Sequence, residues 1–94
     1  MPSHYGYADM EEFLYYVVCE EFDHRFEEDK ADGIEFYKNT IKPYDALREH
    51  IETFICDQIP DNMMRSVVLR STDYDFIWKE LMTNCTATIE DAAD

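Results

Sequence analysis

Residues 20–32 read EEFDHRFEEDKAD. Phe22 and Phe26 stand one helical turn apart, inside a run of Asp and Glu offset only by Arg25 and Lys30. Rings at that spacing share one side of a helix, and the carboxylates between them point elsewhere. The stretch therefore predicts a helix anchored by buried aromatics that holds its acids in a fixed order.

Upstream, Asp9 is placed to cap this helix, with Glu12 at the capping-box spacing. The helix is expected to run to about Lys30, with Asp32-Gly33 as its stop. Its apolar residues form two stripes. Met10, Phe13, Leu14 and Val17 make one; Tyr15, Cys19 (or Val18), Phe22 and Phe26 make the other. A surface helix needs one stripe. Two imply a central helix, or one that also packs on a second copy.

Downstream, GIEFYKNTI (33–41) is predicted as a short helix, although its apolar residues leave a strand open. In PYDALREHIETFICDQI (43–59), Pro43 suits the first helical position. There Tyr44, Leu47, Ile51, Phe54 and Ile55 recur at the 3.6-residue period. Pro60 ends that helix, and Met63, Met64, Val67 and Val68 fall on one side of the next. Thr72 is the expected cap of a helix in which Tyr74, Ile77, Trp78 and Leu81 face inward. From Thr83 the pattern fades. The expectation is one all-α domain over 1–82, a compact bundle of four or five short helices with a long acidic N-terminal helix, followed by a frayed tail over 83–94.

Composition agrees. A chain of 94 residues has room for one domain. With 46% hydrophobic and 15% aromatic residues it is too rich for a disordered acidic tail, and two Gly and three Pro favour helices. The outlier is charge: 22 acids against 8 bases, a net −14. Each phosphate contact needs a cation. Direct binding to nucleic acid or to an anionic membrane is therefore not expected, and the natural partner is a basic surface. The odd, widely spaced Cys19, Cys56 and Cys85 read as reduced thiols in a cytosol-like compartment. No basic stretch followed by an apolar run marks a signal peptide, and no apolar run approaches the length of a membrane span.

Catalytic and metal chemistry find little footing. Glu21 and His24 have the E-x-x-H spacing that di-iron bundles use twice, but Leu47 stands three residues before His50, so the second copy is missing. The cysteines lack the paired spacing of a structural zinc site. Gly6 and Gly33 are the only glycines, so no phosphate-cradling loop and no G-x-S-x-G is present. Neither an enzyme nor a cofactor is expected.

The acids carry the remaining signal. Asp9, Glu12, Glu20, Asp23 and Glu27 fall on one sector of the first helix, spanning about 27 Å. Tyr16 shares that sector, and Glu28, Asp32 and Glu35 extend it past the helix end. Residues 1–35 hold 11 acids and 2 bases, and residues 36–94 hold 11 acids and 6 bases, so the excess is concentrated in the first third. Like charges at helical spacing cost a few tenths of a kcal/mol per pair, about 1 kcal/mol or more in all. A face chosen only for solubility intersperses Lys. Acids three and four apart on a helix present one charge per roughly 4.5–6 Å, sparser than duplex DNA at one per about 1.7 Å. A row of this kind resembles a phosphate backbone.

The segment YDALREHIETFICDQIPDNMMRSVVLRSTD (44–73) resembles the middle of the small acidic phage proteins of the Ocr type, DNA mimics that block type I restriction enzymes. The resemblance rests on Asp45 and Leu47 opening a helix, Ile51 a turn on, the Ile59-Pro60 step, and Val67 and Val68 before Asp73. Tyr15 and Tyr16 on an upstream acidic helix also fit. It implies a non-catalytic all-α homodimer that competes for a DNA-binding surface. This chain is shorter, ends in the mildly acidic IEDAAD, and is interrupted by Arg65 and Arg70. The expected function is that of a phage or mobile-element inhibitor in the host cytoplasm. It would bind a basic nucleic-acid-binding protein of a restriction-modification or CRISPR system through Asp9, Glu12, Tyr16, Glu20, Asp23, Glu27, Glu28, Asp32 and Glu35. The competing expectation is an acidic assembly or interaction module without mimicry.

Overall fold

The computed structural model describes residues 10–93. They form the expected all-α bundle: α1 (Met10–Glu28), α2 (Lys30–Phe36), a π-helical turn (Tyr37–Ile41), α3 (Tyr44–Gln58), α4 (Asn62–Ser71) and α5 (Tyr74–Ala93). Among the described residues there is no strand. Segment 33–41 is therefore helical. It completes α2 and then widens so that the Lys42 amide reaches the Tyr37 carbonyl at 2.7 Å. That wider turn sets Ile41 fully into the core.

The core is continuous. Leu14, Val18 and Phe22 of α1 meet Phe36, Ile41, Leu47, Ile51 and Ile55, and Ile77, Leu81 and Cys85 of α5. The two stripes of α1 are explained by its central position. Its most buried line runs between them, at one-turn intervals. On one flank Phe13 packs against Phe54 of α3, ring centroids 5.9 Å apart. On the other, the Asn84 amide of α5 donates to the Tyr15 hydroxyl, and Phe26 packs on α2.

Four boundaries differ from expectation. First, α1 stops at Glu28, and Asp29 caps α2, its carboxylate accepting from the Ala31 amide at 3.1 Å. Gly33 is not a stop but a contact inside α2: a Cβ there would lie 2.5 Å from the Phe26 Cα. Glycine is present because two helix backbones meet at that point. Second, Pro43 is the N-cap of α3 rather than its first helical residue; its carbonyl accepts the first helical bond, from the Leu47 amide. Third, Thr72 closes α4, its hydroxyl donating to the Val68 carbonyl at 2.8 Å. Asp73 caps α5 instead, accepting from the Phe76 amide at 3.0 Å. A hydroxyl four residues past an open helical carbonyl bonds backward, which leaves the next carboxylate to serve the new helix.

Fourth, residues 83–93 do not fray. They continue α5, bury Cys85 and carry Thr86, whose hydroxyl is 2.8 Å from that of Tyr37. Lys30 closes the far end by donating to the Ala92 carbonyl at 3.0 Å. The apolar spacing Ile77, Leu81, Cys85, Ile89 holds at one turn throughout; threonines and an alanine between those positions dilute it.

Two outcomes test this packing. Gly33→Ala gains about 1 kcal/mol of helix propensity. It also forces a methyl group into the Phe26 backbone, at the upper end of the roughly 1–3 kcal/mol that overpacking costs. We expect a net loss of about 2 kcal/mol in denaturant melts, seen as a Tm drop of about 8–16 °C. Truncation after Met82 removes a buried side chain and the partners of Tyr37 and Lys30. It is expected to lower stability by more than about 3 kcal/mol, where loss of a frayed tail would leave the melt unchanged.

Candidate protein-interaction face

Because Leu14, Val18 and Phe22 face the core, the opposite sector of α1 faces solvent. Glu12, Tyr16, Glu20, Asp23 and Glu27 occupy it. Glu20, Asp23 and Glu27 are exposed, Tyr16 is 42% exposed, and Glu12 is half-buried. From Glu12 to Glu27 the row runs about 22 Å along the helix. Glu28, Asp32 and Glu35 are exposed at the α1–α2 corner. Asp9 lies outside the described residues.

The bases stand elsewhere. Arg25 bonds Glu21 at 3.0 Å, lies 3.7 Å from Asp32, and sits over the Phe36 ring at 4.7 Å. Arg48 pairs with Glu52 and Lys79 with Asp75. Arg65 donates to the Ile59 and Pro60 carbonyls at 3.0 Å, closing the end of α3. Among the described residues no ion pair involves Glu20, Asp23, Glu27, Glu28 or Glu35. Among the exposed acids Glu20, Asp23, Glu27, Glu28, Asp32 and Glu35 of the described residues, Asp32 alone has a cation at ion-pair distance.

Glu21, adjacent in sequence to the row, has a different role. Its carboxylate binds His50 Nε2 at 2.8 Å and Arg25 on its other oxygen, tying α1 to α3. This takes Glu21 away from the E-x-x-H pair, and His24 is exposed. Among the described residues no three His, Cys, Asp or Glu side chains are placed to hold a metal ion. Glu11 is likewise structural, accepting from the Asp73 amide at 3.1 Å at the start of α5.

Beside the row a groove of 280 Å³ opens between α1 and α5. Tyr16, Glu20 and Asp23 form one wall, and Asn84 and Thr88 of α5 the other. Tyr15 stands edge-on to Tyr16 at 5.2 Å and fixes the base of that wall. Partial burial, and then the neighbouring Glu27 carboxylate, push the Asp23 carboxyl above its ordinary range. Burial also raises Cys19 and pushes Cys85 up to about 12, so both are thiols at neutral pH. Asn84 and Thr88 are the residues sequence reasoning missed. The one-turn apolar spacing of α5 was the signal that could have placed them.

A scan against protein-family models, a search of curated proteins and a search of solved structures each return no match to this chain. No helix among the described residues is long and apolar enough to cross a membrane.

The charge strain on the row is measurable. A carboxyl whose folded pKa is raised binds more protons folded than unfolded. Its charge therefore lowers stability once pH rises past the unfolded value of about 3.9. Asp23→Asn removes that penalty. Because the group is largely solvated, the expected gain at pH 7 is a few tenths of a kcal/mol. That corresponds to a Tm rise of about 1–3 °C, and the gain disappears below about pH 4.

Proposed function

We propose that the chain is a phage or mobile-element inhibitor that acts as a DNA mimic. Its acidic face occupies the nucleic-acid-binding surface of a host defence protein, of a restriction-modification or a CRISPR system, in the host cytoplasm. One observation carries the reading: Glu20, Asp23 and Glu27 point outward in a row along a rigid helix, while the nearby Arg25 turns to Glu21 and Asp32. Selection for stability alone would interleave that row with Lys at helical spacing. The resemblance of residues 44–73 to Ocr-type proteins points the same way. Magnitude is consistent with it. Duplex DNA as long as the 46 Å axis of the molecule carries about 14 charges on each strand. The chain carries a net −14, so one copy matches one strand in total charge.

The second reading, an acidic assembly module without mimicry, draws support from the apolar face of α4, where Met63 is 80% exposed. A contact made there does not use the carboxylate row, which makes the two readings separable.

The test is the triple variant Glu20→Gln, Asp23→Asn, Glu27→Gln. Under the proposal the wild-type chain, expressed in bacteria carrying the target system, restores plating of phage that the system blocks. The triple variant does not, although it is at least as stable. In vitro, duplex DNA displaces the wild-type chain from its captured target. Affinity falls at least about tenfold between 50 mM and 200 mM salt. Protection by the triple variant equal to wild type, or affinity that is flat in salt, overturns the reading.

A further inference from the structure

In α4 Arg65, Val68 and Leu69 turn toward the bundle, but none of the ten residues is buried. Met63, Met64 and Val67 turn outward at 80%, 57% and 49% exposure. With Asp61 they line a shallow apolar depression of 480 Å³. Exposed apolar side chains gathered on one helix face mark a contact surface. Methionine suits such a surface because its unbranched side chain adapts to the shape it meets.

Charge identifies the occupant. The rest of the chain is acidic enough that two copies approaching by almost any face bring like charges together. From Asn62 to Ser71 there is no acid and there are two bases, Arg65 and Arg70. Among the described α-helices α4 is therefore the one with no acid of its own, and a second copy that approaches through it meets a carboxylate only at the N-cap, Asp61. The face is also self-complementary. Asp61 caps its start, accepting from the Met64 amide at 3.0 Å, and Arg70 stands near its end. In an antiparallel pair about a two-fold axis passing between Arg65 and Ser66, Met64 opposes Val67 of the partner subunit. Arg70 then opposes Asp61 of the partner subunit, and the two helix dipoles cancel.

We infer that α4 is the self-association surface of this protein, pairing antiparallel with α4 of a second copy through Met63, Met64 and Val67. This does not depend on what the acidic row binds. A patch centred on one short helix lies at the small end of specific interfaces, so the dimer is expected to dissociate in roughly the micromolar range. Its salt dependence has a definite sign. Screening weakens the repulsion between two chains of net −14 while leaving apolar contact intact. Added salt therefore tightens self-association, whereas it loosens the charge-driven binding proposed above.

Sedimentation velocity on the full chain, from about 1 µM to about 500 µM and in low and high salt, reads this directly. The expected result is a shift from 11.2 kDa to twice that mass, at lower concentration when salt is high. Met63→Glu with Val67→Glu should raise the dissociation constant at least about tenfold with an unchanged circular dichroism spectrum, since both side chains are exposed. Val67→Leu should leave dimerisation intact. Where the double variant does not fold, Met64→Lys gives the same reading. A chain that stays monomeric at about 500 µM in high salt overturns the inference. So does a dimer that persists undiminished in the folded Glu variants.

Discussion

The bundle depends on burial of one line of side chains, Leu14, Val18 and Phe22, beneath a helix whose outer face repels itself. Each is almost wholly withdrawn from solvent. Burying three such side chains is worth about 5–9 kcal/mol, against about 1 kcal/mol or more for the uncompensated row. Burial wins with room to spare, so the row can persist without cations threaded through it. The same line fixes the direction in which the acids point, because a helix cannot turn one face inward without turning the opposite face out. Three contacts hold α1 against rotation: Phe13 on Phe54, Tyr15 with Asn84, and Glu21 with His50. They engage α3 on one side and α5 on the other, so the row is fixed relative to the whole domain.

What was legible in the sequence follows from what is local. The stripe of α3 and the inward face of α5 could be counted off, since periodicity and burial express the same geometry. The acids opposite the α1 core line followed from the same wheel. What was not legible depended on contacts between distant segments. Gly33 looked like a stop because glycine is poor in helices, and nothing near it in sequence shows that the Phe26 backbone passes within contact distance. Thr72 and Asp73 both make good caps, and the choice between them turned on which carbonyl of α4 was left open. The end of α5 looked like a tail because threonine and alanine weaken the apolar contrast. Its order comes from Tyr37 and Lys30, 49 and 62 residues away along the chain.

The cations show how a chain with so few of them folds and still presents a negative face. Lys30 closes the end of α5, Arg65 closes α3, and Arg25 joins α1 to α2 over the Phe36 ring. Each serves backbone carbonyls or a half-buried ion pair, where one cation does most for stability. Among the described residues no cation stands at ion-pair distance from Glu20, Asp23 or Glu27. Acids spaced closer than the Debye length of about 8–10 Å act on an approaching partner as a single field rather than as separate charges. Removing one carboxylate from such a field weakens it only in part, whereas a Lys inserted among them would neutralise its neighbours at short range. The position of the bases is thus as much a part of the acidic face as the acids. A chain of the same composition with Lys30 or Arg25 turned onto the outer side of α1 would fold around the same core and lose the row.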